Sequence, residues 1–141
     1  MKTYQGLFKP QNPEKYKGNH AQIVYRSSWE LRFMSYLDQH PDVIYWQSEE
    51  FFIPYRSPID GKIHRYFPDF YIEYRKKDGT IGKDVIEIKP HKEAVWAKKN
   101  QDMHAKLALV INEAKWDAAT QFCKERGLNF RVLTEKTLFK K

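Results

Sequence analysis

Cysteine is almost missing from this chain of 141 residues: Cys123 stands alone. That excludes an internal disulfide framework and a zinc site built from cysteines. No apolar run approaches the roughly 20 residues that cross a bilayer as a helix, and no signal-peptide core opens the sequence. There is no repeat, no low-complexity tract and no linker, so a single domain with a real core is expected. Acidic residues are in deficit, with 18 Asp and Glu against 25 Lys and Arg, a formal net charge of +7. Such a balance suits a polyanionic partner. Hydrophobic residues make up 41% of the chain and aromatic residues 16%, too much for disorder over most of its length. A soluble protein of a reducing compartment is the expectation, with no membrane partner.

Residues 1–26 carry Gly6, Pro10, Pro13 and Gly18 among lysines and tyrosines. They show no helical or alternating period and read as an extended arm lying on the domain or on a partner. Residues 27–141 read as the domain itself. Ser27 or Ser28 can cap a helix that runs to about Gln39 and stops before Pro41. On a helical wheel Trp29, Phe33, Leu37 and Met34 span an arc of roughly 140°. Glu30 falls inside that arc, whereas Arg32, Ser35 and Asp38 fall opposite. A carboxylate on a buried face needs a partner. It can cap its own helix, or it can be a third acidic group aimed at a site over the sheet.

Val43 to Tyr55 is strand-like, Ser57 to Gly61 is a turn, and His64 to Tyr74 is the next strand. Pro68 within it marks a strand start, an edge or a bulge. Lys83 to Lys89 is the most apolar strand and should be central. Two helices are expected next. One runs from about Lys92 to Ile111 with Trp96, Met103, Leu107 and Val110 on one face. The other runs from Glu113 to Arg126 with Trp116, Ala119 and Phe122 inward and Gly127 as its stop. Phe130 to Leu133 is a last strand. The order gives an α/β sandwich, a mixed sheet flanked by helices.

The informative stretch is Arg65 to Pro90. Gly79 suits the left-handed position of a three-residue hairpin loop made of Lys77, Asp78 and Gly79. That loop pairs Lys76 with Thr80 and, counting back, sets Asp69 opposite Glu87. Facing residues of an antiparallel pair have Cβ atoms about 5 Å apart, so two carboxylates meet. Lys89 follows on the same face, while Ile86 and Ile88 point to the other. A two-residue Asp-Gly loop would instead put Asp69 opposite Ile88.

Two opposed carboxylates repel, and a cation between them removes the conflict. Asp69 and Glu87 offer hard oxygen ligands, and the Ile88 carbonyl can complete one side of an octahedral shell of the kind Mg²⁺ prefers. Lys89 can orient or activate a water, and Glu30 can hold a second ion or order the waters of the first. The bland alternative is a cross-strand ion pair of little energetic weight. His64 and Arg65 before the Pro-Asp pair, and His91 and Lys92 after Lys89, lie at strand ends where they can grip phosphates. Arg26 and Arg32 flank the start of the first helix, while Lys98 and Lys99 face outward from the second. Trp46 and Trp96 read as core rather than as base-stacking platforms.

Through Glu30, Pro68-Asp69 and Glu87-Ile88-Lys89 the chain resembles the PD-(D/E)xK nuclease superfamily. Within it, the chain is similar to the head-completion nucleases of T4-like tailed phages. Segments that carry this likeness include Asn12 to Asn19, Tyr25 to Glu30, Trp46 to Glu50, His64 to Phe70, Glu87 to Pro90 and Val132 to Glu135. The resemblance implies a restriction-endonuclease-like core and Mg²⁺-dependent endo- and exonuclease activity on DNA, with Mn²⁺ able to substitute. It implies trimming of packaged DNA before tail joining, contact with head and neck proteins, and a place in the virion or in the host cytoplasm during assembly. Arg26, Ser28 and the aromatic arm would then bear on DNA or on neck proteins. Nucleases of the same fold that serve transposition, mismatch repair or junction resolution stay open as alternatives, as does a connector without catalysis.

Overall fold

In the computed structural model, which describes residues 5–89 and 102–134, two helices pack on opposite faces of a mixed four-stranded sheet. Helix α1 (Ser28–Gln39) starts where the Ser27 Oγ accepts the Glu30 N–H at 3.1 Å, and it closes on His40 ahead of Pro41. Phe33, Met34 and Leu37 are buried against Trp46, Phe70, Ile72 and Ile86 of the sheet, so Trp46 is core as expected. Asp38 corrects the wheel. It is 1% exposed, and its carboxylate accepts the Gln11 and Asn12 N–H groups. Hydropathy assigns an aspartate to the solvent side, but here backbone donors of the preceding segment reach it and satisfy it.

The sheet runs β3 (Val43–Ser48), β6 (Phe70–Arg75), β7 (Ile81–Ile88), β8 (Asn129–Leu133). The first three strands are antiparallel, and β8 joins parallel to β7, which is therefore an inner strand. The loop between β6 and β7 has the expected length. The Lys76 N–H donates to the Thr80 carbonyl at 2.8 Å, and Gly79 takes φ +87°. Phe70 consequently sits opposite Ile86.

The strand-like stretch Val43 to Tyr55 is two strands in two different sheets. The chain leaves β3 at Glu49, a non-glycine residue with φ +53°, and forms a separate ribbon from β4 (Ile53–Arg56) and β5 (Ile63–Tyr66). It returns through Phe67-Pro68-Asp69 into β6, so the long strand expected over 64–74 is broken at Pro68. The ribbon buries Ile53, Tyr55 and Tyr66 against Ala119, Trp116 and Phe122 of the second helix.

That helix, α2 (Met103–Glu125), is continuous through Asn112, where two helices were expected. An interior asparagine costs a helix only about half a kcal/mol, too little to break one whose far half is anchored in a core. Met103, Leu107 and Val110 are exposed rather than inward. The expected helical turns over 92–101, including Trp96, Lys98 and Lys99, lie outside the described residues. Arg126 and Gly127, the latter at φ +69°, end the helix.

The described part of the N-terminal segment is tied to the domain. Strands β1 (Gly6–Leu7) and β2 (Val24–Tyr25) pair antiparallel, and Phe8, Tyr16 and Ile23 enter the α1 core. Tyr16 bridges alongside Trp46, and the Lys17 N–H donates to the Trp46 carbonyl at 2.9 Å. No helix among the described residues is long and apolar enough to cross a membrane.

Candidate active site

Asp69 stands one residue before β6, and continuing the Phe70–Ile86 register sets it opposite Glu87. The Ile88 N–H donates to Asp69 Oδ2 at 2.7 Å. Tyr66 reaches Glu87 from the ribbon, its hydroxyl donating to Oε1 at 2.9 Å. Burial, then the charge of Glu87, pushes the Asp69 carboxyl up to about 7. Burial also raises Glu87, opposed by the Tyr66 hydrogen bond and by the charges of Lys115 and Lys89. Burial and the Glu87 charge raise the Tyr66 phenol, which therefore stays a donor. Both carboxyls are thus pushed toward their protonated form.

Glu30 faces the same point from α1. It lines an open cleft of about 430 Å³ together with Ser27, Ser28, Trp29, Asp69 and Ile88. Burial, then the charges of Asp69 and Glu49, lifts its carboxyl to about 7. The Glu30 carboxylate also accepts the Ser27 hydroxyl at 3.4 Å, a contact at the start of its own helix. Glu87 does not line the cleft. It meets Asp69 from the α2 side, as its alternation with Ile86 and Ile88 requires.

Three residues escaped sequence reasoning. Glu49 lies next to Asp69, its N–H donating to the Asp69 carbonyl at 3.2 Å, and its carboxylate takes Arg26 in an ion pair of 2.5 Å. Its position just past the end of β3 was the available signal, but only the left-handed backbone turns it into the site. Tyr66 and Lys115 become neighbours of Glu87 only through the packing of the ribbon on α2, where the Lys115 Nζ lies 5.7 Å from the Tyr66 ring centre.

The other candidates divide. Lys89 is close enough to Glu87 to lower its pKa and stands 6.0 Å from the Trp116 ring centre. Ser28 lines the cleft, and Arg26, close enough to Glu30 and Asp69 to feel their charge, is tied to Glu49. Arg32 is exposed on α1. His64 is not brought to the site: its Nε2 lies 2.8 Å from Asp60 Oδ2 at the ribbon's turn, because strand β5 carries it away from Asp69. Arg65 sits over the Phe52 ring on the outer face of the ribbon. His91 and Lys92 lie outside the described residues.

Among the described residues no group of three or more His, Cys, Asp or Glu side chains is gathered tightly enough to hold a metal by itself. Asp69 and Glu87, half-buried and facing each other across the strands, are the kind of donors that fit a hard ion keeping most of its shell as water or phosphate, as Mg²⁺ does.

Residues 40–135 match the model of the TnsA-like endonuclease N-terminal family, and the chain belongs to that family. Its restriction-endonuclease-like architecture, a mixed sheet flanked by helices, is the one the sequence resemblance implied. The chain is also 38% identical, over 145 aligned residues, to the head completion nuclease of Enterobacteria phage T4. The likeness covers 96% of this chain and 94% of that protein.

Proposed function

We propose that this chain is a DNA nuclease dependent on a divalent metal, Mg²⁺ by preference with Mn²⁺ as substitute, acting in phage head completion. The observation that carries the reading is the half-buried Asp69–Glu87 pair, fixed by the Ile88 N–H and the Tyr66 hydroxyl, with Lys89 just past the end of β7. Asp69, Glu87 and the Ile88 carbonyl would hold the ion, with Glu30 ordering its waters. When bound, the ion polarises a phosphoryl oxygen and lowers the pKa of a bound water. Lys89 orients the attacking water and offers positive charge to the oxygens as negative charge builds on them. The first turn of α1, through the Ser28 and Trp29 N–H groups, and Arg26 beside Glu49 receive the scissile phosphate.

The likeness to a head completion nuclease supports a role at the filled phage head, trimming packaged DNA before tail joining. Head and neck proteins are then its partners, and the virion or the host cytoplasm is its place of action. The test is nicking of supercoiled plasmid with Mg²⁺, Mn²⁺, Ca²⁺ or EDTA. Asp69→Ala, Glu87→Ala and Lys89→Ala should each cut activity by at least about a hundredfold while remaining folded. Wild-type rates in all three variants would remove the catalytic assignment. A wild type that never cleaves, yet restores tail joining to defective heads, is a connector instead.

A further inference from the structure

We propose that the outward face of the β4–β5 ribbon is a stacking platform for unpaired nucleotides beside the cleavage site. The substrate class is then DNA with single-stranded ends or gaps rather than uninterrupted duplex. This rests on the nuclease reading above and extends it.

Alternation along the ribbon sends Ile53, Tyr55 and Tyr66 inward. The opposite face carries Phe52, Pro54 and Arg56 on one limb and Ile63, Arg65 and Phe67 on the other. Phe52 is 42% exposed and Phe67 47%, although both are large rings that a core would accept. Their centroids lie 5.8 Å apart with planes tilted by 51°, so neither ring covers the other's face. The Arg65 guanidinium stands 4.8 Å from the Phe52 centroid. This face bears two arginines and no carboxylate, which complements a polyanion.

Its location fixes which part of a nucleic acid it meets. Phe67 precedes Asp69 by two positions, and Phe52 follows Glu49, whose N–H is bonded to the Asp69 carbonyl. Both limbs of the platform therefore spring from the carboxylate end of the sheet. Every base has a π-face, so aromatic rings with a flanking cation bind any sequence. Bases inside a duplex have both faces occupied by their neighbours, so only unpaired ones can stack here.

The experiment is anisotropy of a labelled oligothymidylate and of a blunt hairpin duplex with the full-length protein in EDTA, where nothing is cleaved. Phe52→Leu and Phe67→Leu keep an apolar surface and remove the π-face. Each should weaken oligothymidylate binding about tenfold and leave duplex binding within about a factor of two. With Mn²⁺, cleavage of single strands should fall in parallel and duplex nicking should not. Unchanged oligothymidylate affinity in the leucine variants overturns the proposal, as does equal loss on both DNAs. A wild-type dimer that Phe67→Asp converts to a monomer also overturns it, since the face would then be a protein interface. Binding in EDTA does not depend on catalysis, so a wild type that stacks single strands but cleaves nothing sinks the nuclease reading separately.

Discussion

Asp69 and Glu30 both titrate near 7, Asp69 from an ordinary 3.8 and Glu30 from 4.5, and Glu87 is raised beside them. A carboxyl with a higher pKa in the folded state binds more protons folded than unfolded. Stability is therefore full below the unfolded pKa and is lost as pH rises through the folded one. In EDTA the protein should lose stability between about pH 4 and about pH 7 and then level off. Asp69→Asn should flatten that slope and make the metal-free protein more stable than wild type at alkaline pH by about 1–3 kcal/mol, since each pKa unit is worth about 1.4 kcal/mol. Urea unfolding at a series of pH values reads this directly. A wild type that gains stability across the same window contradicts the raised pKa values of these acids. At this scale the sequence was most legible where local rules act. Glycine at 79 sets the loop length, the loop sets the register, and the register opposes Asp69 to Glu87. Glu49 was hidden because its arrival depends on a backbone conformation that no side-chain pattern announces.

Among the elements, α1 shows how a short helix is held at both ends. Its first turn is closed by Ser27 and Glu30 and opens onto the cleft, while Asp38 near its far end binds the backbone of residues 11 and 12. Asp38→Ala removes the acceptor for two N–H groups and should cost about 2–4 kcal/mol, measured by urea unfolding at neutral pH. A loss under about 0.5 kcal/mol would show that water replaces the carboxylate. Hydropathy could not find this contact, because the wheel counts apolar side chains and this burial is driven by backbone donors arriving from elsewhere. The expected break near residue 112 failed for a related reason: a weak local preference yields to an apolar face already committed to a core. The ribbon was read as strand, yet its departure from the sheet at Glu49 could not be seen, since alternation is the same on both sides of the turn.

Over the whole molecule, the charge of +7 supplies attraction for a polyanion without choosing a site. Binding to DNA should weaken with salt along a linear log–log line, losing at least about tenfold between roughly 50 and 200 mM. Arg26→Gln and Arg65→Gln should each reduce the slope by about one if they contact phosphates. A flat salt response would detach the charge from function. The α/β order and mixed sheet were legible at this scale, because hydrophobic period and turn residues agree along most of the chain.

The hairpin that closes at Gly79 joins the two acidic strands directly, so Asp69 and Glu87 come together through a local contact that can form before distant ones. Two like charges would then be brought face to face on the way to the native state, and the climb itself should feel them. In stopped-flow refolding with EDTA the rate should slow as pH passes from about 6 to about 8, with the unfolding limb changing less. Mg²⁺ added before the jump should restore the speed. The acid pair would then govern how fast the chain reaches its shape as well as what that shape can do.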